Sequence, residues 1–498
     1  MALVAAGALA GCGTTTYFAG RTLPPSGLTN RVLIAVQYPN VLTKGALEFV
    51  DAYYDTRSGY TGTPPLFSIS SYTGALPATI QNMPEEQLGG VYGSGDGSFT
   101  LINYAKETVG GAVSGLNGLS SSIFTTRNQS YAFAASQSAN VLTVVNRLNN
   151  SSIPLSLPGI YRVSVNPGGS VALAFVQNNS NPNNTSYVYY PQQLTAGQTI
   201  SYSGGPTKWP KAAVDCEPQN APTWCLFQAQ SPDHTDATGN YYGAPLEFDH
   251  PIKAVFSADG GTAYILNCGP ECGGSNASVT TLPIAPMIFL LGQQSGRLPS
   301  AGSLSATCTS AATGCTIPVP GGASNALVDS STLYVVGQQY FPAYGLYGGN
   351  MTLVDLTNNT VVPSTPTVPN PVSISDGIPE GPSRMLLADD NTLWIGMTKC
   401  TNGMRANHPD LYPSGYGCLT MVNTTNNTVT LLEPYLGDLT GIAGVTSLHK
   451  IYVAQGGQVY IFSTVDGSSI DNQYVTVTGV ASDVAYMDGL SDGNNTVY

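Results

Sequence analysis

An all-β repeat architecture is what this sequence predicts, and three observations predict it. Only 9% of the 498 residues are charged, while Gly (56), Pro (35) and Tyr (29) abound, a composition that favours short strands joined by turns over helices. No stretch carries a helical apolar period of useful length. A chain this long also exceeds a typical single core unless the core grows by adding units. Such a unit recurs: an apolar strand, a tight Asp/Asn/Gly turn, a strand rich in aromatic and aliphatic residues, a variable loop, a third strand, and an Asn-rich turn into a fourth. Units of about 40 to 50 residues with four short strands are β-propeller blades, each unable to bury its own faces until neighbours stack on it.

In chain order, the N-terminus reads MALVAAGALAGCG. Its tetrad Leu9-Ala10-Gly11-Cys12 has the form of a lipobox, in which small residues fit the processing enzyme and the cysteine thiol takes the diacylglycerol. No basic segment precedes the apolar run, so the rival reading is a small-residue terminus with a stray cysteine. The lipobox reading makes 1–12 a signal segment, 13–29 a tether, 30–490 one propeller domain and 491–498 a tail. It places the protein in the bacterial cell envelope, held to a membrane through Cys12 and facing periplasm or exterior.

The repeat is clearest in KAVFSADGGTAYILN from Lys253, YRVSVNPGGSVALAFV from Tyr161, SNALVDSSTLYVVG from Ser324, SRMLLADDNTLWIGM from Ser383 and TGIAGVTSLHKIYVA from Thr440. Weaker copies begin at Leu88 and Ser121. Innermost strands are expected at 88–93, 120–126, 160–166, 252–258, 323–329, 383–389, 439–446 and 482–488, which gives eight four-stranded antiparallel blades, or seven if the short blade near 88 lapses. The last of them, SDVAYMD, has no partners of its own, whereas the N-terminal RVLIAVQ and ALEFVDAYY lack an innermost strand. Pairing them closes the ring with one blade shared by both chain ends and hides two sheet edges.

These residues resemble the YVTN-type β-propeller repeat proteins, whose blades run from an apolar strand through Ser-Pro-Asp-Gly into a Tyr-Val strand. Phe256-Ser257-Ala258-Asp259-Gly260 and Ala263-Tyr264-Ile265-Leu266 follow that order, and the resemblance covers about 30–490. It implies a propeller and little about activity, since the family includes bacterial surface proteins of unassigned function and some similar propellers act as lactonases.

Nine cysteines are present. Setting Cys12 aside leaves eight that pair in sequence order as Cys216/Cys225, Cys268/Cys272, Cys308/Cys315 and Cys400/Cys418, as suits an oxidising compartment. Their unlike spacings and the lack of C-x-x-C argue against zinc and redox chemistry. The expected positions are the two-three loops for Cys268/Cys272 and Cys400/Cys418 and the connections between blades for the other two. All four staples then share one face, where rigid loops favour binding.

Two loops supply the ligand-binding candidates. Residues 201–251, read as an insertion, hold Trp209, Trp224, His234, Asp236, Tyr241 and Tyr242, aromatics and carboxylates suited to stacking on a sugar or peptide. The Cys400–Cys418 loop holds Arg405, His408, Asp410 and Tyr412, a set able to grip an anion. No metal, cofactor or catalytic residue is assigned. SADGGTAY from Ser257 imitates a sialidase Asp-box with Tyr264 in place of tryptophan, and is read as turn chemistry. A net charge of −13 without a basic stripe argues against nucleic acid. The leading function is a monomeric, non-catalytic, lipid-anchored propeller binding a glycan, peptide or partner protein through its stapled face. A hydrolase or lactonase using His234, His250 and His408, and a structural envelope component, are the alternatives.

Overall fold

A computed structural model describes residues 20–57, 66–114, 116, 120–126, 128, 130–177, 186–194, 213–217, 223–229, 246–284, 314–379, 381–412, 417–432 and 436–491, with two-residue strands at 16–17, 234–235, 241–242 and 304–305. Cys12, Trp209, Asp236 and Cys308 lie outside the described residues. The described residues form an eight-bladed β-propeller of antiparallel sheets with almost no helix. Its contacts divide into two units, Met1–Ala112 with Gly441–Asn495, and 113–440 with the last three residues.

The first unit carries blades 1, 2 and 8. Blade 1 joins the two ends of the chain as expected, Val480–Tyr486 pairing with Arg31–Gln37 and that strand with Gly45–Asp51. The join is fastened by Arg31, 1% exposed, which donates to both Asp488 carboxylate oxygens at 3.0 and 2.6 Å and to Glu107 at 2.8 Å. Blade 2 runs Pro77–Met83, Leu88–Gly93, Ser98–Asn103, Thr108–Val113. Its first strand is therefore Pro77–Met83, and the expected innermost strand at 88–93 is the second. Blade 8 comprises Leu439–Val445, Lys450–Gln455, Gln458–Ser463 and Ser469–Val475.

The second unit carries blades 3 to 7, beginning at Ser120, Ile160, Pro251, Asn325 and Pro382. Their first strands lie side by side in that order. The middle strand Thr262–Asn267 of blade 5 shows why the repeat must stack. Ala263 and Ile265 pack into a core shared with blade 4, and Tyr264 and Leu266 into one shared with blade 6, because successive side chains leave opposite faces of a strand. Each fully buried aliphatic contributes about 1.5–3 kcal/mol. Ser257-Ala258-Asp259-Gly260 is a turn: the Asp259 carboxylate accepts from the Ser257 hydroxyl and the Gly261 N–H, which hold its pKa below the usual range, and Gly260 supplies φ +69°.

The sheets correct the position of two staples. Blade 4 is ordered Ile160–Val165, Ala172–Val176, Val188–Leu194, Thr223–Gln228, Ala213–Glu217. Cys216 and Cys225 are directly opposed on its two outermost strands, so this disulfide belongs to the blade and not to a connection between blades. Residues 213–228 of the segment read as an insertion thus include blade strands. Cys315, also disulfide-bonded, lies on the fourth strand of blade 5, Gly314–Pro318. Long segments inserted before the fourth strand placed these cysteines there. Cys268–Cys272 and Cys400–Cys418 do close two-three loops.

Candidate functional site

Blade 6 departs from its neighbours in length. Its second and third strands, Thr332–Phe341 and Leu346–Asp355, have ten residues each, against six in the second strands of blades 5 and 7. Four extra residues carry the hairpin roughly 13 Å further at 3.3 Å per residue. The extension is QQYFPAYGLY, turned by Gly345 at φ +65°. Tyr340 and Tyr344 are 39% and 44% exposed. Tyr340 faces Tyr347 across the hairpin with ring centroids 5.0 Å apart.

Both flanks of this hairpin are gripped by disulfide-closed loops. From blade 5, the turn Gly269–Cys272 presents Glu271, 5% exposed, whose carboxylate accepts from the N–H of Ala323 and of Gln338 at 3.2 and 2.9 Å. Gly269 has φ +73°, and a Cβ there would lie 2.4 Å from the Ala277 nitrogen, so only glycine lets the short staple fold flat. From blade 7, Arg405 reaches back across the hairpin base. Its guanidinium donates to the Gly349 carbonyl, Asn350 Oδ1 at 2.8 Å, Ser373 Oγ at 2.8 Å and Asp376 Oδ1 at 2.8 Å. Asp376 also accepts from the N–H groups of Gly349, Arg405 and Ala406. Burial pushes the Asp376 carboxyl up from its ordinary value, against the opposing pull of Arg405.

The sequence candidates divide accordingly. Arg405, 4% exposed, is committed to Asp376 and the blade 6 backbone. His408 packs its ring 4.4 Å from that of Tyr344, and the Arg405 guanidinium sits 5.6 Å from the Tyr412 ring, so both extend the aromatic surface. Asp410, with 74% of its side chain exposed, lies beside His408 at its rim, 4.0 Å away. Trp224 is 1% exposed and edge-on to Tyr131 and Phe133 in a core between blades 3 and 4. His234 and Tyr242 are paired in backbone register, as are Thr235 and Tyr241. His250 lies beside Asp249 at 3.3 Å. Sequence reading missed Tyr340, Tyr344 and Tyr347. Three tyrosines and Phe341 within eight residues were the available signal.

No family model matches the chain, and no curated protein matches it. Solved structures that resemble it are β-propeller proteins. A dihydro-heme d1 dehydrogenase, NirN, in complex with DHE is 11% identical over 93% of this chain and 75% of that one, with a TM-score of 0.49. Kuenenia stuttgartiensis hydrazine synthase is 13% identical over 82% of this chain and 100% of that one, with a TM-score of 0.45. The periplasmic gluconolactonase PpgL of Pseudomonas aeruginosa is 13% identical over 92% and 98%, with a TM-score of 0.38. At these scores the likenesses carry no inference about ligand or reaction.

Proposed function

We propose that the protein is a non-catalytic binding propeller of the bacterial cell envelope, held to a membrane by a lipid on Cys12, whose blade 6 hairpin presents an aromatic platform to a glycan. The observation that carries this reading is the exposure of Tyr340 and Tyr344 on an extension fixed from both sides by Glu271 and Arg405. Exposed aromatic faces on a rigid support stack on the apolar faces of sugar rings, and the support removes much of the ordering cost of binding. Phenol hydroxyls, His408 and Asp410 supply polar contacts at the rim.

The test is an oligosaccharide panel against the disulfide-intact protein, followed by calorimetry on the best binder. Replacing Tyr340 and Tyr344 together with alanine is expected to weaken that binding at least about tenfold, since buried tyrosine contacts are recurrent hot spots, and to leave thermal unfolding unchanged. Unaltered affinity in the double variant would move the site elsewhere, and silence across the panel would end the glycan reading. For the anchor, Cys12→Ala is expected to shift the protein from the membrane to the soluble fraction. Equal partitioning of both forms would overturn it.

A further inference from the structure

The turn from the third strand to the fourth is built alike in five blades. It spans Asn103–Thr108 in blade 2, Asn146–Ser151 in blade 3, Asp355–Thr360 in blade 6, Asn423–Thr428 in blade 7 and Ser463–Ser468 in blade 8. Its fifth residue is left-handed every time, with φ between 53° and 75°, and its sixth is Ser or Thr. The fourth residue varies, as Lys106, Asn149, Asn358, Asn426 and Asp466. Wherever it is asparagine, the turn ends in Asn-Asn-Ser or Asn-Asn-Thr, an acceptor sequence for N-linked sugar.

The fold does not require asparagine at that position. In blade 8 Asp466 accepts from the N–H and the hydroxyl of Ser468 at 3.0 and 2.7 Å, and in blade 7 Asn426 accepts from the same two groups of Thr428 at the same two distances. A carboxylate therefore closes this turn as well as an amide does, and in blade 2 the turn forms around Lys106. Asn149 in turn accepts from Ser151 N–H at 3.1 Å and Ser151 Oγ at 2.7 Å. In both asparagines Oδ1 holds the hydroxyl of the sequon, and Nδ2 has no partner among the described residues. Asn149, Ser151, Asn426 and Thr428 are all exposed. Other sequons are closed. Asn358 gives its Nδ2 to Asp355 at 2.6 Å. Asn350, of Asn350-Met351-Thr352, is 4% exposed, donates to Gln339 Oε1 and accepts from Arg405. A second observation fits: the disulfides Cys216–Cys225 and Cys400–Cys418 belong to an oxidising compartment outside the cytosol, where secreted chains carry such sugars.

We propose that Asn149 and Asn426 are N-glycosylation sites. The step joins Nδ2 to the anomeric carbon of an activated glycosyl phosphate. The bond from that carbon to the phosphate oxygen breaks, the phosphate leaves with the electron pair, and Nδ2 gives up one proton to a base of the transferase. Both sites stand at the ends of their blades opposite the two-three loops, because consecutive antiparallel strands turn at alternate ends. Sugars there extend into solvent on the side of the second unit away from the tyrosine hairpin and leave that platform uncovered. The assignment does not depend on what the platform binds.

Mass spectrometry of the protein purified from the cells that make it, with fragmentation that leaves sugar on the peptide, tests the assignment. Whole sugar residues are expected on Asn149 and Asn426 and none on Asn350. Asn149→Asp and Asn426→Asp are each expected to remove the sugar from their own site and lower the intact mass by one glycan. The circular dichroism of both variants should stay at the wild-type value, because blade 8 already closes this turn with an aspartate. Thr428→Ala is expected to abolish the sugar on Asn426, and Thr428→Ser to retain it. Bare Asn149 and Asn426 in the native protein, sugar on Asn350, or sugar persisting on Asn426 in Thr428→Ala would each overturn the proposal.

Discussion

Arg405→Ala is expected to destabilise the second unit by about 3–5 kcal/mol, the range for removing one partner of a buried ion pair. Side-chain exposure is 3% for Arg405 and 0% for Asp376, so nothing but protein surrounds the charge left behind. Asp376 would retain three backbone N–H donors, and protonation would offset part of the loss. Asn350 Oδ1 would lose the Arg405 donor at the same time, and the Gly349 carbonyl would keep the Ile374 N–H. Urea unfolding followed by tyrosine and tryptophan fluorescence measures the change. A loss under about 1 kcal/mol, the scale of an exposed pair, would mean that the blade 7 loop does not secure the blade 6 hairpin. It would also remove the reason for treating the platform as rigid.

Trp224→Ala is expected to cost a similar amount, about 3–5 kcal/mol, as a large-to-small change in a packed core. The ring is edge-on to Tyr131 at 5.2 Å and Phe133 at 6.1 Å, and Leu155, Ile160 and Leu226 belong to the same core. Glycan affinity per folded molecule is expected to stay at the wild-type value. Loss of stability with intact binding separates this tryptophan from the exposed tyrosines. The reverse outcome, normal stability with lost binding, would place a ligand against the outer strands of blade 4.

What the sequence disclosed and what it withheld follow from physical signals of unequal strength. First strands such as Pro251–Phe256, Pro382–Leu387 and Leu439–Val445 were legible because an apolar run meets an Asp/Asn/Gly or Ser turn. Pro77–Met83, PATIQNM, was not, since its alternation is interrupted by Thr, Gln and Asn that are only partly buried. The shared blade at the chain ends was readable from two incomplete strand sets. The staples of blades 4 and 5 were misplaced because spacing alone cannot tell a between-blade connection from an insertion before the fourth strand. At the site, His408, Asp410 and Tyr412 were named from composition, yet Arg405 was read as a ligand group when its partner Asp376 lies 29 residues away. Tyrosines beyond Gly337 read as loop, because glycine and proline mask a strand whose order comes from loops of other blades.

Blade 1 has a consequence for the history of each molecule during synthesis. Arg31 and Asp488 are 457 residues apart, so the strand Arg31–Gln37 leaves the ribosome long before Val480–Tyr486 exists. At about 5–20 residues per second the wait is roughly twenty seconds to a minute and a half. Blades 3 to 7 form from strands that follow one another closely, and each can pair as it emerges, whereas blade 1 must await a contact between the two ends of the domain. During that interval Val32, Leu33, Ile34 and Val36, all fully buried in the finished protein, belong to an unpaired edge open to wrong partners. The strand that begins the domain is thus the last to be secured, and the nascent N-terminal segment is where this protein depends most on being shielded until translation ends.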